Sequence, residues 1–244
     1  IAHGGEGALY FQIRQSQGAS EKFHGAVIDH YGENDTRVFR EVCRVGETLK
    51  AISELAGSEV KSQVAMIYDW DSRWAMEDSK GPRNDGLHHQ EMLLKYYRAF
   101  RKQGMNVDLI DMDCSIEGYQ VLVLPMTYMF KQGFAEKVRA FVEQGGVLIT
   151  TYWSGIADDT DRCYLGGTPH GLMDVLGLRS TEIDGLFDWE ENQFMPVDGN
   201  ELGLFREYTC KYLCDLVRLD GAQALMTYGS DFYQGYPALT VNRY

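Results

Sequence analysis

Apolar positions along the chain fall into two rhythms. Continuous apolar runs of strand length recur at "VAMIYDW" (64–70), "NVDLI" (106–110), "YQVLVLP" (119–125) and "VLITTYW" (147–153). Between them stand amphipathic stretches. "HHQEMLLKYYRAFRKQG" puts Met92, Tyr96 and Phe100 on one helical face, with Gly104 as its stop. "GFAEKVRAFVEQGG" turns Phe134, Val138, Phe141 and Val142 inward. Unbroken apolar strands alternating with amphipathic helices predict a parallel sheet covered on both faces, and right-handed crossovers make it doubly wound. The fold class expected is therefore α/β.

The chain ahead of this region reads as one strand and one helix. "GALYFQIRQ" (7–15) is rich in strand-forming residues. After a long polar loop, Val38, Val42, Val45, Leu49 and Ile52 recur at steps of four and three. Asp35 or Thr36 is placed to cap that helix and Gly57 to end it. Alone, such a βα unit cannot bury both of its apolar faces. Beyond Gly155 the pattern loosens into a loop, a short helix, and short strands with turns at Asp220-Gly221 and Gly235. The start at "IAHGGEG", without an initiator methionine, and the stop at "ALTVNRY", read as mid-strand, suggest a piece of a longer protein.

Composition changes this picture little. The 244 residues are 44% hydrophobic, enough for one large domain or one and a half ordinary ones. A net charge of −13 argues against nucleic acid and anionic membranes as partners. Neither a membrane-length apolar run nor a signal-peptide pattern stands out. The five scattered cysteines, Cys43, Cys114, Cys163, Cys210 and Cys214, read as reduced thiols of a cytoplasmic protein.

Candidate chemistry is sparse. A phosphate cradle needs glycines and small residues, and the loop after "VAMIY" is the acidic, bulky "DWDSRWAMEDSKGP". With no G-x-G-x-x-G and no P-loop, no nucleotide or flavin cofactor is expected. Ser154 lacks the preceding glycine of a nucleophile elbow and reads as a loop cap. His88 and His89 are adjacent and face different ways; Cys210 and Cys214 would share a helix face; packing and solvation explain both pairs better than a metal. Asp69 and Asp71 form a carboxylate pair with no partner in view, and Trp70, Arg73 and Trp74 suit a domain or subunit contact. The loop "ASEKFHG" is different. Glu21 and His24 follow the C-terminal end of the first strand, where barrel enzymes keep their function. Both residue types grip neighbouring sugar hydroxyls, and an aromatic such as Phe23 stacks on a pyranose. A charged loop leading into the following helix is the structural alternative.

The run "HGGEGALYFQIRQSQGASEKFHGAVIDHYGENDTRVFREVCRVG" resembles the end of the catalytic barrel of glycoside hydrolase family 42 β-galactosidases. "VAMIYDWDSRWAME", "EGYQVLVLPMTYM" and "GGVLITTYWSGIADDTDRCYLGGTPHGLMDVLGL" resemble that family's second domain. The resemblance implies that residues 1–57 are the last strand, loop and helix of a (β/α)8 barrel, and that residues 58–244 are a flavodoxin-like trimerisation domain. It implies a retaining β-galactosidase as parent, a homotrimer, whose two catalytic glutamates lie outside this chain. Glu21 and His24 match the family's galactose contacts, with Phe23 in the same motif. Ile13 stands where the family pattern has tryptophan, and Ser20 where alanine is commoner. Without the resemblance, a stand-alone α/β assembly or binding module is the competing reading.

Overall fold

The computed structural model describes residues 5, 7–83 and 86–244. The opening "IAHG" therefore lies outside the described residues. The chain divides into two compact units, 1–61 and 62–244.

In the first unit the helix forms as α1, Arg37–Ala51, with the Thr36 hydroxyl accepting from the Phe39 N–H at 3.2 Å. It ends earlier than its glycine suggests: a 3-10 turn, Ser53–Leu55, precedes Gly57. No residue of α1 is buried. The strand expected over 7–15 does not form a ladder. Residues that favour strands still need a neighbouring strand for their N–H and C=O groups, and the only one offered among the described residues is a single parallel bridge, Arg14 to Ile28. Leu9, Phe11 and Ile13 stay 68% or more exposed.

The second unit begins with the sheet. Strands β1 (Val64–Ile67), β2 (Val107–Ile110), β3 (Val121–Leu124) and β4 (Val147–Thr150) lie in the order β2-β1-β3-β4, every pair parallel. Three helices punctuate them: α2 (Trp70–Asp78), α3 (His89–Lys102) and α4 (Phe134–Glu143). The alternation of strand side chains divides the core. Val64, Met66 and Val123 pack with Leu93, Tyr96, Tyr97 and Phe100 of α3. Ala65, Ile67, Leu122 and Leu124 pack with Phe134, Val138 and Phe141 of α4. Burying each large aliphatic side chain here contributes about 2 kcal/mol. The helix α2 corrects the reading of "DWDSRWAMEDSKGP" as a loop. Asp69 caps it by accepting from Ser72 N–H at 3.1 Å, and only Ser72 and Met76 are buried, so it carries almost no apolar periodicity.

The remainder is mostly antiparallel. Helix α5 (Met173–Leu176) leads into β5 (Leu178–Gly185), which pairs with β8 (Leu213–Leu219). Strands β6 (Asn192–Pro196), β7 (Tyr208–Cys210), β9 (Gln223–Tyr228) and β10 (Pro237–Val241) form a second sheet in the order β10-β9-β6-β7. Leu186, Cys214, Leu216, Tyr228 and Tyr233 make their shared core. Gly177 joins α5 to this region in a left-handed conformation, φ 61°, and an added Cβ would stand 2.6 Å from the Ala222 nitrogen, so only glycine fits. Among the described residues no helix is long and apolar enough to cross a membrane.

Two substitutions separate the buried sheet from the open helix. Leu122→Ala should cost about 2–5 kcal/mol in urea denaturation. Val45→Ser, on exposed α1, should stay within about 0.5 kcal/mol. Equal costs would mean that the face of α1 is covered in this chain.

Candidate functional site

Residues 15–27 form a loop tied at its base. Val27 N–H donates to Gln12 O at 3.0 Å, Ile28 N–H to Ile13 O at 2.8 Å, and Gln15 N–H to Ile28 O at 3.0 Å. His30 reinforces the tie: its N–H donates to Gln15 Oε1 at 3.0 Å and its Nε2 meets Ser16 O at 2.8 Å. At the far end Ser20–Phe23 make a turn, closed by His24 N–H on Glu21 O at 2.9 Å. A turn of this kind brings its first and fourth residues within about 7 Å, Cα to Cα. The backbone thus gathers Glu21 and His24 with Lys22 and Phe23 between them. All four are exposed; Phe23 is 78% exposed, with the Lys22 ammonium 5.5 Å from its ring centre. A carboxylate, an imidazole and an open aromatic face within one turn can bind vicinal hydroxyls and stack on a sugar ring.

The carboxyl ends of the parallel strands are the other place where such folds bind ligands. Here that position is filled by the protein's own groups. Lys131 Nζ lies 2.9 Å from Asp69, 3.0 Å from Asp71 and 3.1 Å from Asp113. This corrects the reading of Asp69 and Asp71 as a pair without a partner: Lys131 is that partner, supplied after β3. Burial pulls the lysine pKa down, but hydrogen bonds to the three carboxylates outweigh it and hold the ammonium above its ordinary value. Asp69 also occupies the N-terminus of α2, where an incoming anion would otherwise sit.

The remaining residues singled out from the sequence serve structure. Ser154 Oγ is buried and accepts from Thr127 N–H at 3.2 Å. His88 stacks on Tyr212 and His89 on Tyr68, with ring centres 4.3 and 6.0 Å apart. His89 is not a solvated histidine: its Nδ1 is inaccessible, and burial lowers its pKa. Cys210 and Cys214 lie on β7 and β8, not on one helix face. Trp70 and Trp74 are 52% and 58% exposed, and Arg73 sits 5.1 Å from the Trp70 ring centre. Among the described residues no cluster of three His, Cys, Asp or Glu could hold a metal ion.

One half-buried acid escaped the sequence pattern. Asp215 sits within "LCDLVRL", where it passes for a polar strand position. Its Oδ1 is out of solvent and has no hydrogen-bond partner among the described residues. Desolvation pushes its pKa up to about 7, opposed more weakly by the nearby Ser180 side chain and Trp153 backbone.

These elements describe a mixed α/β chain with a parallel sheet, an antiparallel region and a tied polar loop ahead of both. The profile described as "Beta-galactosidase trimerisation domain" matches residues 62–244, and one described as "Beta-galactosidase" matches 1–52. The chain belongs to the glycoside hydrolase family 42 β-galactosidases. It is 48% identical over 243 residues to β-galactosidase BglY of Alicyclobacillus acidocaldarius, covering 100% of this chain and 35% of that protein. It is 47% identical over 244 residues to β-galactosidase Pbg of Clostridium perfringens, with the same coverage of 100% and 35%. The crystal structure of a β-galactosidase from Rahnella sp. R3 superposes with a TM-score of 0.89 at 51% identity, over 96% of this chain and 35% of that one. The chain thus spans about a third of the length of the relatives it matches.

Asp215 sets a pH dependence. A folded-state pKa near 7, against about 3.9 in the unfolded chain, means that the folded state keeps a proton the unfolded state has released. That contribution is complete below about pH 4 and is lost as pH rises to about 7. Asp215→Asn removes the titration, so stability relative to the wild type should rise across that window by up to about 4 kcal/mol. Parallel urea-midpoint profiles for the two proteins would show that Asp215 is ionised throughout.

Proposed function

We propose that this chain is the assembly part and one edge of the sugar site of a retaining β-galactosidase that removes terminal non-reducing β-D-galactose. On this reading residues 1–57 are the last strand, loop and helix of a (β/α)8 catalytic barrel. Residues 58–244 are a flavodoxin-like trimerisation domain. The order β2-β1-β3-β4 with helices on both faces supports the flavodoxin-like assignment. The division of the chain after Lys61 supports the boundary. The uncovered apolar residues around Leu9–Ile13 and along α1 support a barrel origin, since the rest of a barrel would cover them.

The observation that carries the sugar site is the single turn holding Glu21, Phe23 and His24 on a loop tied at its base. Glu21 accepts from, and His24 bonds to, neighbouring galactose hydroxyls, and Phe23 lies against the ring. The two catalytic glutamates come from the rest of the barrel. Trp70, Trp74, Phe187 and Trp189, all more than half exposed, supply apolar anchors for homotrimer contacts. With Lys131 filling the sheet's ligand position, the second unit is an assembly module that needs no cofactor. The unpaired cysteines suit a cytoplasmic enzyme.

In the full-length enzyme, Glu21→Gln and His24→Ala should each lower kcat/KM for a chromogenic β-galactoside about tenfold to a hundredfold, the loss of one or two charge-assisted hydrogen bonds. The trimer and the thermal midpoint should stay unchanged. Unaltered kcat/KM in both variants would remove these residues from the sugar site.

A further inference from the structure

Strands β7 and β8 follow one another directly, yet join different sheets. Cys210 of β7 is opposite Asn192 in the four-stranded antiparallel sheet, and Cys214 of β8 is opposite Asp184 in the two-stranded one. Between them the chain reverses tightly: Leu213 N–H donates to Lys211 O at 3.1 Å, and Tyr212 is left-handed, φ 78°. The two cysteines therefore flank a corner at which the sheets part. Cys214 is fully buried in the core of Leu186, Leu216, Tyr228 and Tyr233, and Cys210 packs against that core half-buried. Their thiols are within hydrogen-bonding reach of each other.

We propose that Cys210 and Cys214 are a dithiol that a low-molecular-weight disulfide converts to an intramolecular disulfide, stapling the two antiparallel sheets at their corner. Cys210, the more accessible sulfur, loses its proton and attacks the small disulfide, forming a mixed disulfide and expelling one thiolate. Cys214 then attacks the Cys210 sulfur and expels the second. Two protein thiols and one small disulfide give one protein disulfide and two small thiols, so atoms and electrons balance. The second step needs no solvent access, which reconciles a buried resolving sulfur with the reaction. The Cys210 thiol donates toward Cys214: that raises the Cys210 pKa and, with help from the Tyr233 and Tyr228 hydroxyls, holds the Cys214 pKa below its ordinary value against the cost of burial, so Cys210 attacks only once a base has taken its proton. Cys43, Cys114 and Cys163 are exposed and serve as internal controls.

Trypsin makes the test direct, because Lys211 lies between the two cysteines. The native chain is incubated with glutathione disulfide, denatured, blocked with N-ethylmaleimide and digested. Peptides 207–211 and 212–218 should be recovered joined, two hydrogens lighter than their sum, and separate on reduction. Neither should be linked to the peptides of Cys43, Cys114 or Cys163. Cys214→Ser should stop the reaction at glutathione on Cys210. Recovery of both wild-type peptides separately, each carrying the maleimide or glutathione, would overturn the proposal, as would a bridge from either cysteine to a third.

Discussion

Burial of β1 and β3 on both faces is the constraint on which the second unit depends. Val64, Ala65, Met66, Ile67, Leu122, Val123 and Leu124 are all 2% exposed or less. A strand buried on both sides demands an apolar layer on each, and the chain supplies α3 to one and α4 to the other. The parallel register then brings the ends of β1, β2 and β3 to one side. There the segments carrying Asp69, Asp113 and Lys131 converge, and the lysine closes the position with three carboxylates. What is left for other molecules is the outer surface, where Trp70 and Trp74 stand half open.

The first unit shows the opposite condition. Its loop is well specified by backbone bonds among residues 12–30, while its apolar side chains have little to pack on. Local hydrogen bonds are enough to define a turn; they cannot replace a core. On the proposed reading this asymmetry is expected of one βα unit from an eightfold barrel: the turn carries Glu21, Phe23 and His24, and the missing neighbours carry the burial and the catalytic acids.

Much of this was legible in the order of residues. The four continuous apolar runs became the four parallel strands, and the periodic faces of 92–100 and 134–142 became the packing faces of α3 and α4. Three features were not legible, each for a physical reason. Helix α2 buries too little to leave a period, and its existence rests on the Asp69 cap. The run Leu9–Ile13 has strand-forming side chains, but a ladder is a property of two segments, and among the described residues only the Arg14–Ile28 bridge is available. Lys131 meets Asp69 from 62 positions away, a pairing that only the sheet's topology creates. For the sugar site, residue type and spacing pointed to Glu21 and His24 without deciding; the family resemblance gave them a role, and the tied loop supports it.

On the proposed reading, residues 58–244 assemble the protein and residues 1–57 lend an edge to a site completed elsewhere. The mass of the 244-residue chain in dilute solution, by sedimentation equilibrium or light scattering, tests this division most directly. The expected result is a trimer of the 27.7 kDa chain. A stable monomer across the concentration range would contradict it.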